Sequence, residues 1–515
     1  MQDPRPRQDR LGDMNAASFR RSASRLANWI ARYLNGGADS YPVLSRVRPG
    51  EVGASLPTSA PTKGRPMAAI LDDFERLLLP GLTHWNHPGF MAYFPSSASG
   101  PGVLAEFLTA ALNQQAMLWR TSPAATELET VALGWLRELL GLPARFTGVT
   151  FDGGSTSNLH ALLAARQLAI AEVRARGLVA RADLKPVRVY CSEYAHSSID
   201  KAVIVLGLGQ EALRRIPVDD YYRMRADALA EAIRSDRAAG LLPIAVVATV
   251  GTTSCGAVDP VAQVADLCAT HRIWLHVDAS WAGPAAMVPE AAAIFDGVAR
   301  ADSVVVNPHK WLFTPLDLSI FYCQRMDVLQ SALALTPDYL ASTEDQAGRN
   351  LMDRGIALGR RFRALKLWVV MSYFGSDGLR ARLREHIRLA SGFADELRCD
   401  TNFELLSPVS LGLVCFRAAP VGVAQKALDD LNAALLDHVN ASGEIFLSAT
   451  RLDGRFSLRL VVGHLRTSRR HVRRVHALLR CGLDELLDSA NKQPRNHLVE
   501  HGRPRTKKSA RWPGP

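Results

Sequence analysis

The sequence contains no apolar run long enough to span a membrane. Met1 to Asp13 is polar, with Arg5, Arg7 and Arg10 set against Asp3, Asp9 and Asp13. Neither a membrane anchor nor a secretory leader is expected, and Met14 is a candidate start, with residues 1–13 a disordered extension. Cysteines are few: seven in 515 residues, scattered, odd in number and without a C-x-x-C pair. That pattern argues against a disulfide framework or structural zinc and for a reducing cytoplasm. The chain also lacks G-x-x-x-x-G-K-[ST] and G-x-G-x-x-G, the phosphate signatures of P-loop and dinucleotide-binding proteins. It has no internal repeat. Acids are scarce in one stretch: residues 489–515 carry seven Lys and Arg against Glu500 alone, which supplies six of the net +11 charges. This basic tail, rich in Pro and Gly, reads as disordered. The charge balance therefore does not indicate a nucleic-acid-binding fold, and nucleic acid is not an expected partner.

What remains is ordinary for a soluble protein, and 515 residues suffice for two or three domains. Phe19, Leu26, Trp29, Ile30 and Tyr33 recur at close to helical spacing. Pro42, Pro49, Pro57, Pro61 and Pro66 then break the chain into a long connector, and a helical pattern resumes over Met67–Leu79. Residues 14–99 are read as a helical arm that packs on a partner subunit. Strands are expected at Gly148–Phe151, Val187–Cys191, Ile244–Val250, Ile273–Val277, Ser303–Val306 and Ser319–Cys323. Helical runs such as Leu159–Arg176 and Ala226–Ser235 lie between them. This alternation predicts an α/β domain with a mostly parallel sheet, assigned to residues 100–367. Residues 331–355 read as a loop and Arg361–Tyr373 as a helix. Residues 368–488, with strands at Gly412–Arg417 and Phe456–Val462, read as a smaller α+β domain.

Several of these strands lead into polar groups. Ile273–Val277 runs into Asp278, and Ser303–Val306 runs into Asn307-Pro308-His309-Lys310-Trp311. An acid and a lysine at the ends of two parallel strands face one crevice. The pair suits pyridoxal phosphate (PLP): the lysine forms the Schiff base, and the carboxylate keeps the pyridine nitrogen protonated. Asp152-Gly153-Gly154-Ser155-Thr156-Ser157-Asn158 follows another strand and opens a helix. Free N–H groups and hydroxyls there suit a phosphate, although a plain N-cap uses the same residue types. His196 follows a third strand and offers a flat ring for stacking. Gly251-Thr252-Thr253 follows a fourth and offers hydroxyls. Each piece alone is common in structural roles. Their order, each just after a candidate strand, carries the argument.

These segments resemble the group II PLP-dependent decarboxylases, and within them the aromatic-L-amino-acid decarboxylases. The matching stretches include His87-Pro88 with Ala92-Tyr93-Phe94-Pro95, Thr126-Glu127-Leu128-Glu129, Ala195-His196-Ser197-Ser198, Gly251-Thr252-Thr253 and His276-Val277-Asp278-Ala279. They end with Asn307-Pro308-His309-Lys310-Trp311, Leu358-Gly359-Arg360-Arg361-Phe362-Arg363 and Gly412-Leu413-Val414-Cys415-Phe416-Arg417. Together they cover roughly residues 15–485.

The resemblance implies an α/β type I PLP fold, similar to aspartate aminotransferase, and a homodimer with active sites at the interface. By resemblance, Lys310 carries the cofactor, Asp278 pairs with the pyridine nitrogen and His196 stacks on one ring face. Ser280, where the family usually has Ala, approaches the other face. Thr156 and Ser157 would hold the phosphate, Asn307 and His309 flank the site, and Thr253 lies near the ring. Trp85, Tyr93, Phe94, Pro95 and Ser96 match the substrate-pocket segment. Gln115 and Met117 match positions lining the neighbouring subunit's pocket. Tyr339 matches a mobile-loop tyrosine that protonates Cα. No metal is implied. The implied reaction is decarboxylation of an L-amino acid, aromatic by resemblance, to amine and carbon dioxide. The alternatives are an aldehyde synthase, which commonly replaces the loop Tyr or the stacking His, and a decarboxylase of a non-aromatic amino acid.

Overall fold

The computed structural model describes residues 12–179, 181–335, 350–409 and 411–492. Helix α1 (Ala16–Leu34) is capped by Asn15, whose side chain accepts the Ser18 N–H at 2.9 Å. None of its residues is buried, and Phe19 and Leu26 stay exposed. Helix α2 (Met67–Asp73) passes into a π-helical turn, Phe74–Leu78, where the sequence pattern predicts one helix to Leu79. The sequence reads this arm as packing on a partner subunit. Within the chain, Val43 and Met91 pair with its own C-terminal region. Val43 N–H donates to the Gly443 carbonyl at 2.8 Å, Met91 N–H to Phe446 at 2.9 Å and Val461 N–H to Met91 at 2.9 Å. A proline-broken segment still has backbone donors that need acceptors once buried, and the Gly443 and Phe446 carbonyls supply them here.

Helices α3 (Gly100–Leu112) and α4 (Pro123–Leu139) lead into β1 (Thr147–Phe151). The chain then alternates through α5 (Gly154–Ala169), β2 (Val187–Ser192), α6 (Ser198–Val205), β3 (Leu213–Ile216), α7 (Ala226–Ala238) and β4 (Leu242–Thr249). It continues through α8 (Val261–His271), β5 (Trp274–Asp278), β6 (Ser303–Val306), α9 (Pro308–Trp311), β7 (Ser319–Cys323) and α10 (Met326–Leu333). The sheet order is β1-β7-β6-β5-β4-β2-β3. Strand β7 runs antiparallel to both neighbours, and the other pairings are parallel. All six strands expected from sequence form, Ser303–Val306 and Ser319–Cys323 with the expected bounds and the other four shifted by one or two residues at their ends. Strand β3 was not expected, because Leu213-Arg214-Arg215-Ile216 shows neither an apolar run nor alternation.

Helix α11 (Ala364–Arg398) begins three residues later than the sequence pattern suggests and bends at Gly375, whose φ of 65° breaks the helical path. It crosses residue 367. Strands β8 (Phe403–Leu405) and β9 (Leu413–Ala418), helix α12 (Gln425–Ala441), strands β10 (Ser448–Leu452) and β11 (Arg455–Val461), and helix α13 (Arg469–Lys492) complete the described chain. The second sheet is β10-β11-β9-β8, antiparallel throughout. Of the expected loop at 331–355, residues 331–333 belong to α10 and Met352–Arg354 form a 3-10 turn. Among the described residues no helix is long and apolar enough to cross a membrane.

A buried ion pair ties the first sheet to the chain ahead of α11. Arg360 Nη2 lies 2.6 Å from Glu129 on α4, and Thr150 on β1 donates its N–H to Glu129 at 2.9 Å. The two side chains are 7% and 3% exposed, so neither charge can fall back on water. Glu129→Leu strands the guanidinium. It should lower unfolding stability by about 3–5 kcal/mol, and chemical denaturation followed by far-UV circular dichroism would register an unchanged midpoint if the pair were dispensable.

Candidate active site

Parallel pairing fixes which strand ends meet. Thr249 at the end of β4 pairs with Asp278, and Asp278 pairs with Val305 on β6. Lys310 lies in α9, one turn beyond β6. The first turn of α5 and the residues before α6 close the same space. The result is a cavity of about 270 Å³ lined by Asp278, Lys310, His196, Asn158, Ser155 and Ser280, together with Thr253, Asn307, His309, Phe94 and Trp281. Larger hollows lie along α13 and against β1, but none of them contains a lysine.

Burial alone would raise the Asp278 carboxyl. Hydrogen bonding from Ser280, the Lys310 ammonium and the Asn158 amide outweigh it and hold the group below the usual carboxylate range. Lys310 is pushed the other way: burial lowers its pKa, Asp278 offsets part of that, and Arg459 lowers it further. Arg459 on β11 is itself buried, with its guanidinium carbon 4.7 Å from the Phe94 ring centre. Its Nε donates to the Thr253 carbonyl at 2.8 Å, while Nη2 has no partner. Burial also lowers the pKa of His196 and, with Lys310 and Lys366 nearby, takes His309 to about 3. Both rings are therefore neutral near pH 7. The Ser198 N–H donates to His196 Nδ1 at 3.1 Å, so the ring proton sits on Nε2.

Two glycines are required by the geometry. Gly251 has φ +87°, and a Cβ there would lie 2.5 Å from the Ala282 Cβ. At Gly154 a Cβ would lie 2.8 Å from Asn307 Nδ2 and 2.9 Å from Ser280 Oγ. This leaves a small polar recess at the N-terminus of α5, where backbone N–H groups and the helix dipole favour an anion. Asn307 Oδ1 is buried there without a partner. Lys310 Nζ has no hydrogen bond among the described residues. An amine without an acceptor among the described residues and, beside the Asn307 amide, a cradle emptied of side chain at a helix N-terminus fit a group carrying an aldehyde and a phosphate. PLP meets that description.

The sequence-predicted site residues divide into two sets. Asp278, Lys310, His196, Thr253, Ser280, Asn307, His309 and Phe94 come together on one cavity wall. Ser96 supports it from behind, its hydroxyl donating to the His309 carbonyl at 2.7 Å, and Pro95 packs near Gly463. The phosphate assignment to Thr156 and Ser157 needs correction. Ser157 is fully buried and shares a 2.7 Å hydrogen bond with Ser319 on β7, and Thr156 is not part of the wall. Each residue turns about 100° around a helix, so Ser155 faces the cavity and Ser157 faces the sheet. Trp85 and Tyr93 are exposed and stack on each other at 6.0 Å, away from the cavity. Gln115 accepts the Arg360 N–H, and Met117 packs beside Leu118 and Met352. Tyr339 lies outside the described residues.

Sequence reasoning missed Ser155, Asn158, Ser198 and Arg459. Ser155 and Asn158 stood inside the Asp152–Asn158 loop and Ser198 two residues after His196, but without distinct roles. Arg459 carries no local signal and reaches the site only through the second sheet.

A model of the pyridoxal-dependent decarboxylase conserved domain matches residues 49–419. An aromatic-L-amino-acid decarboxylase from Sus scrofa is 40% identical over 487 residues, covering 90% of this chain and 98% of that protein. A phenylacetaldehyde synthase from Arabidopsis thaliana is 39% identical over 473 residues, covering 90% and 95%. The crystal structure of Oryza sativa TDC with PLP and tryptamine superposes with a TM-score of 0.88 at 35% identity, covering 92% of this chain and 99% of that one.

The placement of the two serines sets a test. Ser155→Ala should weaken PLP binding about tenfold, the scale of a hydrogen bond to a charged group, whereas Ser157→Ala should leave the dissociation constant within about twofold. Fluorescence titration of the apoprotein would read both, and the reverse ranking would restore the original assignment.

Proposed function

The chain belongs to the pyridoxal-dependent decarboxylase family, an amino-acid decarboxylase with PLP as its cofactor, and from that premise we propose that its substrate is an aromatic L-amino acid. The observation that carries the PLP premise is Lys310, without a hydrogen bond among the described residues, facing an ionised Asp278 beneath the strand ends. Relatives named for aromatic substrates, at 38–40% identity over most of the chain, support the substrate class.

Bound PLP supplies an electron sink for the pair released when a carboxylate leaves as carbon dioxide. Lys310, its pKa lowered by burial and by Arg459 against the opposing pull of Asp278, offers its amine to the cofactor's aldehyde. Asp278 stays charged and holds a proton on the ring nitrogen, where negative charge would otherwise build up. His196 offers a neutral ring to one face with its proton on Nε2, and Ser280 a hydroxyl to the other. Asn307, Ser155 and the free N–H groups at the start of α5 would hold the phosphate. Thr253 and His309 line the space around the ring. Phe94, stacked on Trp281 at 4.5 Å, closes the inner wall against water.

A homodimer completes the substrate wall in this reading. Phe19 on α1 and Leu104, Phe107, Leu108 and Leu112 on α3 are exposed, an apolar surface of the kind that marks an association site. Trp85, Tyr93, Pro95 and Ser96 of one subunit would then meet Gln115 and Met117 of the other. Scattered, unpaired thiols support a cytoplasmic location. Tyr339 is assigned the proton delivered to Cα. Retention of Tyr339 and His196 favours the decarboxylase over the aldehyde synthase represented among the relatives.

Incubating the enzyme with tryptophan, tyrosine, phenylalanine and dopa should yield amine and carbon dioxide from at least one of them. Aldehyde with equimolar ammonia and hydrogen peroxide from the wild type would convert the assignment to a synthase. Lys310→Ala should end borohydride trapping of the cofactor; trapping at another lysine would remove Lys310 from its role. Tyr339→Phe keeps the ring but loses the proton. Amine formation should fall about 100-fold, with aldehyde and peroxide rising in its place. Near-wild-type amine without peroxide would leave Tyr339 a packing residue.

A further inference from the structure

Behind the cavity wall lies a polar network in which every proton can be assigned. Trp274 Nε1–H donates to Ser303 Oγ at 2.9 Å. Ser303 lies 2.9 Å from His276 Nδ1, and His276 Nε2 lies 2.8 Å from Asn158 Oδ1. Asn158 Nδ2 lies 2.9 Å from Asp278 Oδ2 and 2.8 Å from Ser198 Oγ. Ser198 Oγ in turn lies 2.9 Å from His196 Nδ1. An ionised carboxylate can only accept, which fixes the Asn158 amide with its nitrogen toward Asp278. Its oxygen must then accept from His276 Nε2–H. His276 is buried and neutral, with a pKa near 4, so its Nδ1 accepts from Ser303. The second Asn158 proton goes to Ser198, and Ser198 passes its own proton to His196 Nδ1. The chain of donors ends on two acceptors only: the Asp278 carboxylate and the inner nitrogen of His196.

We infer that Asn158 is the positioning residue that couples these two groups, donating directly to the Asp278 carboxylate and, through Ser198, orienting the hydroxyl that donates to His196 Nδ1. The inference rests on the PLP-decarboxylase reading and goes beyond it, since that reading needs only the two end groups. Asn158 is buried in α5 and reaches them without touching the cavity's far wall. A leucine of similar shape has no donor to offer either group. An aspartate keeps an acceptor for His276 but faces Asp278 with a like charge. The three hydrogen bonds link two elements to α5: His276 and Asp278 come from β5, and Ser198 opens α6.

The direction of the pH effect follows from the charges around Asp278. Lys310 faces it across the cavity, neutral His276 lies behind it and neutral His196 beside it, with Asp200 and Lys201 further out on α6. Donation from Asn158 stabilises the ionised carboxylate, so its loss raises the carboxyl's pKa. The acid limb of activity should move to higher pH, further for Asn158→Asp than for Asn158→Leu.

The test uses the purified holoenzyme. Asn158→Leu and Asn158→Asp should both retain the visible absorbance of lysine-bound cofactor. Each should weaken PLP binding about tenfold, the scale of one hydrogen bond to a charged group. The turnover number should fall by a similar factor with KM within about twofold, because the substrate wall is untouched. The acid limb of the absorbance and of turnover should shift upward together. A lowered melting temperature with unchanged PLP affinity and an unmoved acid limb would assign Asn158 a structural role only and overturn the inference. If Asn158→Leu does not fold, the isosteric Asn158→Asp decides alone by the same readings. A wild-type protein that failed to bind PLP would strike the underlying reading instead, independently of either variant.

Discussion

Asp278 and Lys310 carry opposite charge potential into the same buried space, yet no salt bridge joins them. Most of what surrounds them follows from keeping that gap open. A buried carboxylate is costly unless donors reach it, and two arrive from fixed backbone positions: the Ser280 N–H at 3.1 Å and the Asn158 amide at 2.9 Å. The lysine is treated in the opposite way. It receives no acceptor among the described residues, and the nearby Arg459 makes its charged form still less favourable. One group is stabilised ionised and the other is pushed toward neutrality, which is the division of labour that carbonyl chemistry at an amine requires.

The parallel sheet makes this division possible. Strands β4, β5 and β6 lie in register, so their C-terminal ends deliver Thr249, Asp278 and Val305 side by side. Residues just beyond those ends are free of the ladder and can turn inward. Helix α5 then brings its N-terminus to the same edge, and its dipole favours an anion there. The space left by Gly154 has no structural use of its own. A Cβ would clash with Asn307 and Ser280, so a glycine is retained at a helical position where it weakens the helix by roughly 1 kcal/mol relative to alanine. Local stability yields to the site at that residue.

Much of this was legible in the chain itself. Strand β6 and the acid and lysine at the strand ends could be read because buried parallel strands are short apolar runs and their ends are marked by abrupt polarity. Strand β3 could not, since Leu213 to Ile216 borrows its identity from pairing with β2 rather than from its own pattern. Ser155 and Ser157 were indistinguishable because composition does not encode rotation about a helix axis until the axis is placed. Arg459, and the role of Asn158 within its loop, were illegible for a different reason. Their functional atoms are defined by partners far away in sequence: Thr253 for one, His276 and Asp278 for the other.

The residues that fell outside the cavity carry information as well. Trp85 and Tyr93 are exposed, and Tyr93 sits at φ 48°, a left-handed conformation uncommon for a bulky side chain. The carbonyl of that same residue accepts from the Arg459 guanidinium, and the next residue, Phe94, turns inward to stack on Trp281. The strain at Tyr93 thus places one aromatic ring in the cavity wall and leaves its neighbour facing outward. Such backbone strain persists where the surroundings over-determine it, and here the buried Arg459, Phe94 and Trp281 do so. The exposed aromatic pair and the buried inner wall are thus two consequences of one backbone turn, fixed from inside by Arg459 and Trp281.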